Sequence, residues 1–338
     1  MKRSPDARRG RPNRTPPAVL FRAAAGPRRG FGHLVRCRSL ARALDVRPVV
    51  SLRASADTIR RAAALGCTVV TGGPRRVLAS TPCDVLVVDD PNPAAASAWI
   101  RAGRRAGRPV VSVHDLGIGC LEGDLVVDGS VVRKPALRSA VGALMAGPQY
   151  AVLDPGLLSW KRRGTEPAGA CTVLIALGGG TNVTLASAIA DALIAADERI
   201  QVRIAGGFSA GGHAQLRVQP RVCWLGRTPG LGRELSRADV AVVGGGVTLY
   251  EACALGVPTV AVPVVDAQRD TIAAFVRKGA ATGIVDGPVD LDRVVNLVIT
   301  LVEDRRKRRG LSERASALVD GRGAARVAQF VTRLATAH

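Results

Sequence analysis

The sequence predicts an α/β protein: two Rossmann-like domains whose parallel sheets face each other across a cleft. Three observations carry that expectation. Apolar runs such as CDVLVVDD and ADVAVVGGG are bounded by turn residues and show no polar–apolar alternation, as strands buried on both faces require. They take turns with Ala-, Leu- and Arg-rich stretches of helical length, the order that strand–helix–strand crossovers produce. The pattern restarts after the Pro- and Gly-rich stretch GPQYAVLDPGLLSWKRRGTEPAGA, and 338 residues exceed what one core ordinarily holds.

Residues 1–17 are basic and rich in Pro and Gly, which reads as a disordered tail. Arg22 interrupts the apolar stretch after it, so no signal peptide is expected. The N-terminal domain is expected over 18–147. It opens with the strand AVLFR, then a glycine-rich loop and the helix beginning in GFGHLVRC. There follow RPVVSL, a helix around Ala56 to Leu65, CTVV, CDVLVVDD, a helix from Ala94 to Ala106, RPVVSVHD and DLVVDG. Residues 148–170 form the interdomain connection, and 171–338 the C-terminal domain. That half reads as CTVLIALGGG, a helix from Thr184 to Ala196, IQVRIAGG, RVCWLG and a short helix around Leu231 to Ala238. ADVAVVGGG, a helix from Thr248 to Leu255, VPTVAVPVV, a helix from Gln268 to Gly279 and two further helical runs complete it.

Aromatics are only 3% of the chain against 47% hydrophobic residues, so the core must be built from Ala, Val and Leu. The net charge of +21 points to an anionic partner such as nucleic acid or a membrane surface. Nucleic acid is not the expected partner, because zinc-finger and RNA-recognition spacings are missing and base-stacking aromatics are scarce. The seven cysteines are odd in number and form no CxxC pair, which argues against disulfides and zinc and for a reducing, cytoplasmic setting. Cys83, Cys171 and Cys223 read as small buried thiols. No run approaches the ~20 apolar residues of a membrane span.

Three motifs can carry chemistry. In the first, glycines Gly30 and Gly32 precede His33 at a helix start, where unpaired N–H groups attract an anion. The positive helix end favours the neutral imidazole, the form a general base for water or a hydroxyl needs. Taken alone, such a turn more often belongs to a histidine that merely caps its helix. The second is LGGGTN, with Gly178 and Gly179 at a strand–helix turn able to cradle phosphate, although the P-loop lysine is missing. Steric demands of the turn would equally select those glycines. In the third, a strand delivers Gly244, Gly245 and Gly246, followed by Thr248 and Glu251 in the next helix. The backbone amides can hold a diphosphate, and Glu251 can accept hydrogen bonds from both ribose hydroxyls. A surface glutamate is the plainer reading of Glu251.

The third block resembles the donor-nucleotide half of GT-B enzymes of the glycosyltransferase family 28 type. The opening block resembles a sister group, the UDP-sugar hydrolases of pseudaminic acid biosynthesis. Those have a strand ending in Arg, then Gly-x-Gly-His-x-x-Arg-Cys and a Leu-Ala helix, matched here by Arg22, Gly30, Gly32, His33, Arg36, Cys37, Leu40 and Ala41. GPQYAVLDP and LIALGGGTN are similar to that group's domain connection and second-domain opening. The likeness runs from Ala18 to Ala281.

The resemblance implies a GT-B enzyme that cleaves a UDP-sugar at its anomeric carbon, with no metal and no cofactor. His33 would activate water, and Gly178, Gly179, Gly244, Gly245, Gly246, Thr248 and Glu251 would hold UDP. Gly32, Arg22, Asp89 and Gln268 would meet the sugar. The alternative is a glycosyltransferase of the same fold with a lipid or polysaccharide acceptor, which would sit against an anionic inner-membrane surface. Three departures concentrate on the sugar. Ala23-Ala24-Ala25 stand where the group has Asp, Asp89-Asp90-Pro91 where it has Asp-x-Tyr, and Ala267-Gln268-Arg269-Asp270-Thr271 where it has Asn-Gln-x-x-Asn. Of Asp89 and Asp90 only one can face the cleft, because neighbours on a strand point to opposite faces. His114 is a secondary candidate for the sugar site, with a structural hydrogen bond the plainer role. The run Asp304 to Arg309 reads as a solvated helix face, and His213 as a loop residue.

Overall fold

The structure, a computed structural model, describes residues 16–26, 30–114, 122–132, 141–161, 170–178, 182–206, 220–225 and 230–337. The first domain comprises β1 (Val19–Ala23), α1 (Gly32–Ala43), β2 (Val49–Ser51), α2 (Ala56–Ala64), β3 (Thr68–Val70), α3 (Pro74–Ser80), β4 (Val85–Asp89), α4 (Pro93–Arg105), β5 (Val110–His114), β6 (Glu122–Asp128) and β7 (Val141–Ala146). The second comprises β8 (Cys171–Ala176), α5 (Val183–Ala196), β9 (Ile200–Ala205), β10 (Val222–Leu225), α6 (Gly232–Arg237), β11 (Val240–Gly244), α7 (Val247–Leu255), β12 (Thr259–Val262), α8 (Arg269–Arg277), β13 (Thr282–Gly283), α9 (Leu291–Glu303) and α10 (Arg305–Leu318). A last helix, α11 (Gly323–Ala337), ends the described chain.

Among the described residues the first sheet runs β3-β2-β1-β4-β5-β6-β7 and the second β10-β9-β8-β11-β12-β13, every pair parallel. β1 and β4 are buried at every position, as their unbroken apolar runs require for a sheet covered by helices on both faces. The order reverses beside β1 and again beside β8, and the crevice at such a reversal is where parallel sheets take ligands. Register brings Asp89 level with Ala23, and His114 level with Asp128, at the carboxyl edge of the first sheet. The helices that follow those strands begin at that edge.

Several elements differ from the sequence expectation. β7 extends the first sheet beyond DLVVDG. Its sequence VGALMA has few β-branched residues, and Gly142 is needed because a Cβ there would lie 2.2 Å from the carbonyl oxygen of Gly123. α3 is a helix of 7 residues started by Pro74 at its first turn. The final helical stretch holds three helices rather than two. Asp304 ends α9 and caps α10 by accepting a hydrogen bond from Lys307 N, so the charge run splits one expected helix. Cys83 and Cys171 are buried as expected, but Cys223 is exposed, because it lies on the edge strand β10. Among the described residues no helix is long and apolar enough to cross a membrane.

The chain crosses between the domains twice. The outward crossing passes through two 3-10 turns, Pro148–Tyr150 and Pro155–Trp160. The return crossing follows α10, and α11 then packs Ala324, Val327, Ala328 and Val331 into the core of the first domain. The C-terminal helices were expected as part of the second domain, but the last one returns to the first because its apolar face completes that core. Where the crossings meet, Gly323 has no room for a side chain: a Cβ would sit 2.2 Å from the carbonyl oxygen of Ala151. Arg326 binds both strands of the crossing, donating to Gln149 O at 2.7 Å and Asp320 Oδ1 at 2.8 Å. Arg42 of α1 pairs with Asp154 at 2.5 Å, and Val131 N donates to the hydroxyl of Tyr250 at 3.0 Å.

Gly323→Ala is expected to cost about 1–3 kcal/mol by overpacking the crossing. Urea denaturation of the full chain reads this directly; an unchanged midpoint would show that the crossing has slack.

Candidate active site

The first turn of α1 and the end of β4 meet at a compact polar group. Asp89 is 1% exposed, and its Oδ1 lies 2.8 Å from Nδ1 of His33. A carboxylate can only accept, so the contact calls for a proton on Nδ1, and in the neutral ring that leaves the lone pair on Nε2. Arg36, one turn further along α1, grips the same carboxylate with Nε at 2.6 Å from Oδ2 and Nη2 at 2.5 Å from Oδ1. Burial alone would raise the Asp89 carboxyl, but the Arg36 charge and the hydrogen bonds from Arg36 and His33 outweigh it and hold it at about 2. Spacing explains the convergence, since positions three apart lie on one helix face.

Two cavities flank this group. The first, about 240 Å³, lies between Gly30, Phe31 and Gly32 on one domain and Gly178, Gly244, Gly246, Thr248 and Glu251 on the other. The second, about 230 Å³, is lined by Arg36 and His114 on one side and Gly245, Tyr250, Gln268 and Thr271 on the other. His33 itself lines neither cavity, but its chain neighbours Gly32 and Arg36 line the first and the second. Gly246, Val247 and Gln268 border both.

The structure thus brings most of the sequence-derived candidates together, with different tasks for three of them. Gly178, Gly244, Gly246, Thr248 and Glu251 share the first cavity, and Gly179 lies outside the described residues. Gly246 is the N-cap of α7, so the free amides of that helix start face the same space. Gly245, expected at the diphosphate, spends its N–H on Gln268 Oε1 at 3.1 Å. Its lack of a side chain is a packing demand, since a Cβ would lie 2.9 Å from Ile272 Cγ1. Gln268 Oε1 also accepts from Val264 N at 3.1 Å, which orients its amide NH₂ at the wall shared by the cavities. Asp89, expected against sugar, lies behind His33 instead. Arg22, expected there too, lines neither cavity: Nε and Nη2 bind Asp90 at 3.0 and 2.7 Å, and the guanidinium sits 5.7 Å over the Trp99 ring. Asp90 therefore turns away from Asp89, as strand alternation requires.

Sequence reasoning missed Phe31, Leu231 and Tyr250, which line the cavities but carry no motif. It also gave Arg36 no task, although the three-residue spacing from His33 was the available signal. Burial, followed by the negative charge of Asp154, raises the Glu251 carboxyl to about 7. Among the described residues no group of three His, Cys, Asp or Glu side chains converges as a metal site would.

Comparison with solved structures settles the architecture. The spinosyn rhamnosyltransferase SpnG complexed with thymidine diphosphate superposes with a TM-score of 0.64 at 16% identity, over 93% of this chain and 99% of that one. MurG of Acinetobacter baumannii superposes at 0.61 with 15% identity, over 94% and 100%. The fold is GT-B. The family described as Glycosyl transferases group 1 matches residues 182–317. The spore coat polysaccharide biosynthesis protein SpsG of Bacillus subtilis (strain 168) is 25% identical over 332 residues, covering 92% of this chain and 97% of that protein.

The Glu251 carboxyl gives a pH-dependent prediction. Between its ordinary value and about 7 the folded protein keeps a proton that the unfolded chain releases, so stability falls as pH rises through that window. Glu251→Gln removes the titration. The variant is expected to be more stable than the wild type above pH 7, by about 1–3 kcal/mol, with the difference vanishing below the ordinary glutamate range. Melting curves of both proteins across that range test it; parallel curves would contradict the raised carboxyl.

Proposed function

We propose that the chain is a nucleotide-sugar hydrolase, releasing UDP by attack of water at the anomeric carbon, in the synthesis of nonulosonic acids or surface polysaccharide. The observation that carries this reading is the His33–Asp89 pair: Asp89 holds Nδ1, which in the neutral ring leaves Nε2 to take a proton, and the neighbouring Gly32 and Arg36 line the two cavities. In the first cavity the diphosphate would lie on the amides of Gly246 and the start of α7, with Gly178 and Thr248 alongside. Glu251 would accept from the ribose hydroxyls, and Gln268 would present its NH₂ to the sugar. The oxygen of a water forms the new bond to the anomeric carbon as its proton passes to Nε2. The bond from that carbon to the diphosphate oxygen breaks, and UDP leaves with the electron pair. The name of the Bacillus relative, a spore coat polysaccharide biosynthesis protein, supports a place in surface polysaccharide synthesis.

A second reading rests on a separate observation, the match of the second domain to Glycosyl transferases group 1. In that reading the same base activates an alcohol, the second cavity admits the acceptor, and the chain works against an anionic membrane surface.

UDP release from UDP-N-acetylhexosamines and UDP-diacetamido sugars without acceptor distinguishes the two, with TDP-sugars as a parallel series. His33→Ala is expected to lower release at least about a hundredfold while UDP binding persists. Binding of UDP without release by the wild type would reject the hydrolase and leave the transferase.

A further inference from the structure

Arg36 sits in the first turns of α1, near the positive end of the helix, with 8% exposure. A buried cation there is doubly unfavourable, from desolvation and from the dipole, unless an anion is fixed against it. Asp89 is that anion, held through both oxygens. The arrangement does more than neutralise a charge. Nη2 of Arg36 lies 3.0 Å from Nδ1 of His33, and both groups share the single oxygen Oδ1.

We propose that Arg36 is a positioning residue of the reaction, keeping Asp89 ionised and turned so that Oδ1 faces Nδ1–H of His33. The proposal rests on the reading of His33 as the base. Without Arg36, burial would act on Asp89 with only His33 to oppose it. A protonated or rotated Asp89 would no longer fix the tautomer, and Nε2 would lose its place beside the substrate. Lysine could not substitute, because a point ammonium cannot span both carboxylate oxygens.

Among the described residues the surrounding charges offer no replacement. On α1, the Cys37 thiol is held protonated by burial and by the Asp89 charge. From β1 and the end of β4, Arg22 and Asp90 close on each other. From β5, His114 lines the same cavity as Arg36 but has no bidentate geometry to offer.

The test compares Arg36→Gln and Arg36→Lys with the wild type and with His33→Ala. Arg36→Gln is expected to lower kcat roughly a hundredfold, with KM and the Kd of UDP changed less than about threefold. The acid limb of its pH profile should move upward, because Asp89 protonates more readily. Arg36→Lys should recover only a small part of kcat, whereas added guanidinium ion should partly restore Arg36→Gln and leave His33→Ala inactive. In an Asp89→Asn background, Arg36→Gln should cost little more. An Arg36→Gln protein with wild-type kcat and pH profile would overturn the proposal, as would equal losses in kcat and UDP affinity. Nitrogen-15 spectra of the labelled histidines supply a readout independent of activity. His33 should show one tautomer with Nδ1–H in the wild type and a mixture in Arg36→Gln or, should that variant fold poorly, in Arg36→Lys. An unchanged tautomer would reject the positioning role. If His33→Ala released UDP at the wild-type rate, the base assignment would fall while the spectra still judged Arg36.

Discussion

A carboxylate buried at the end of a strand is the constraint around which the N-terminal half is organised. Asp89 cannot remain charged in its surroundings without hydrogen-bond donors and a cation, and both groups that satisfy it come from one face of α1. That requirement fixes the rotation of α1 about its axis. It places Leu34, Cys37, Leu40 and Ala41 against the sheet, and sets Gly32 at the lip of the cleft. The apolar face and the ionic face are therefore one specification. Losing one partner would leave an uncompensated buried charge, the costly case for such pairs.

The two domains contribute unlike materials to the cleft. The first offers side chains already engaged with one another, so its chemistry is preorganised before a ligand arrives. The second offers backbone: a strand ending in glycine, an α7 start with unfilled N–H groups, and a glutamine that uses its oxygen to brace the turn. Among the described residues only Thr248 and Glu251 add side-chain chemistry to that wall of the first cavity, apart from the shared Gln268. A scaffold of this kind lets the residues around the second cavity vary while the glycine-walled first cavity stays intact.

Much of the fold was legible because buried parallel strands announce themselves as unbroken apolar runs, and both domains supply them. The elements that escaped have physical reasons. β7 is held by a close glycine contact and poor in β-branched residues, so its sequence does not look like a strand. The break between α9 and α10 depends on one capping aspartate within a basic run. At the site, the glycine turns and His33 stood out because local sequence encodes them. The task of Asp89 did not, since its partners lie 53 and 56 positions away in the chain. Arg22 and Gly245 resembled ligand contacts by motif, yet Trp99 with Asp90 and Gln268 with Ile272 claim them first. Which groups a neighbour already occupies is a property of packing, and a motif does not carry it.

The return of α11 has a consequence for how the protein comes into being. The first domain is synthesised early, yet four of its core residues, Ala324, Val327, Ala328 and Val331, leave the ribosome only after the whole second domain. Until then the apolar groove beside α1 stays open to water, and the nascent half-protein cannot reach its final cohesion. The first domain therefore closes only once the chain has passed through the second. A chain that stops before α11 keeps the second domain's wall of the cleft but has a first domain with an exposed seam, the kind of surface that quality-control machinery recognises.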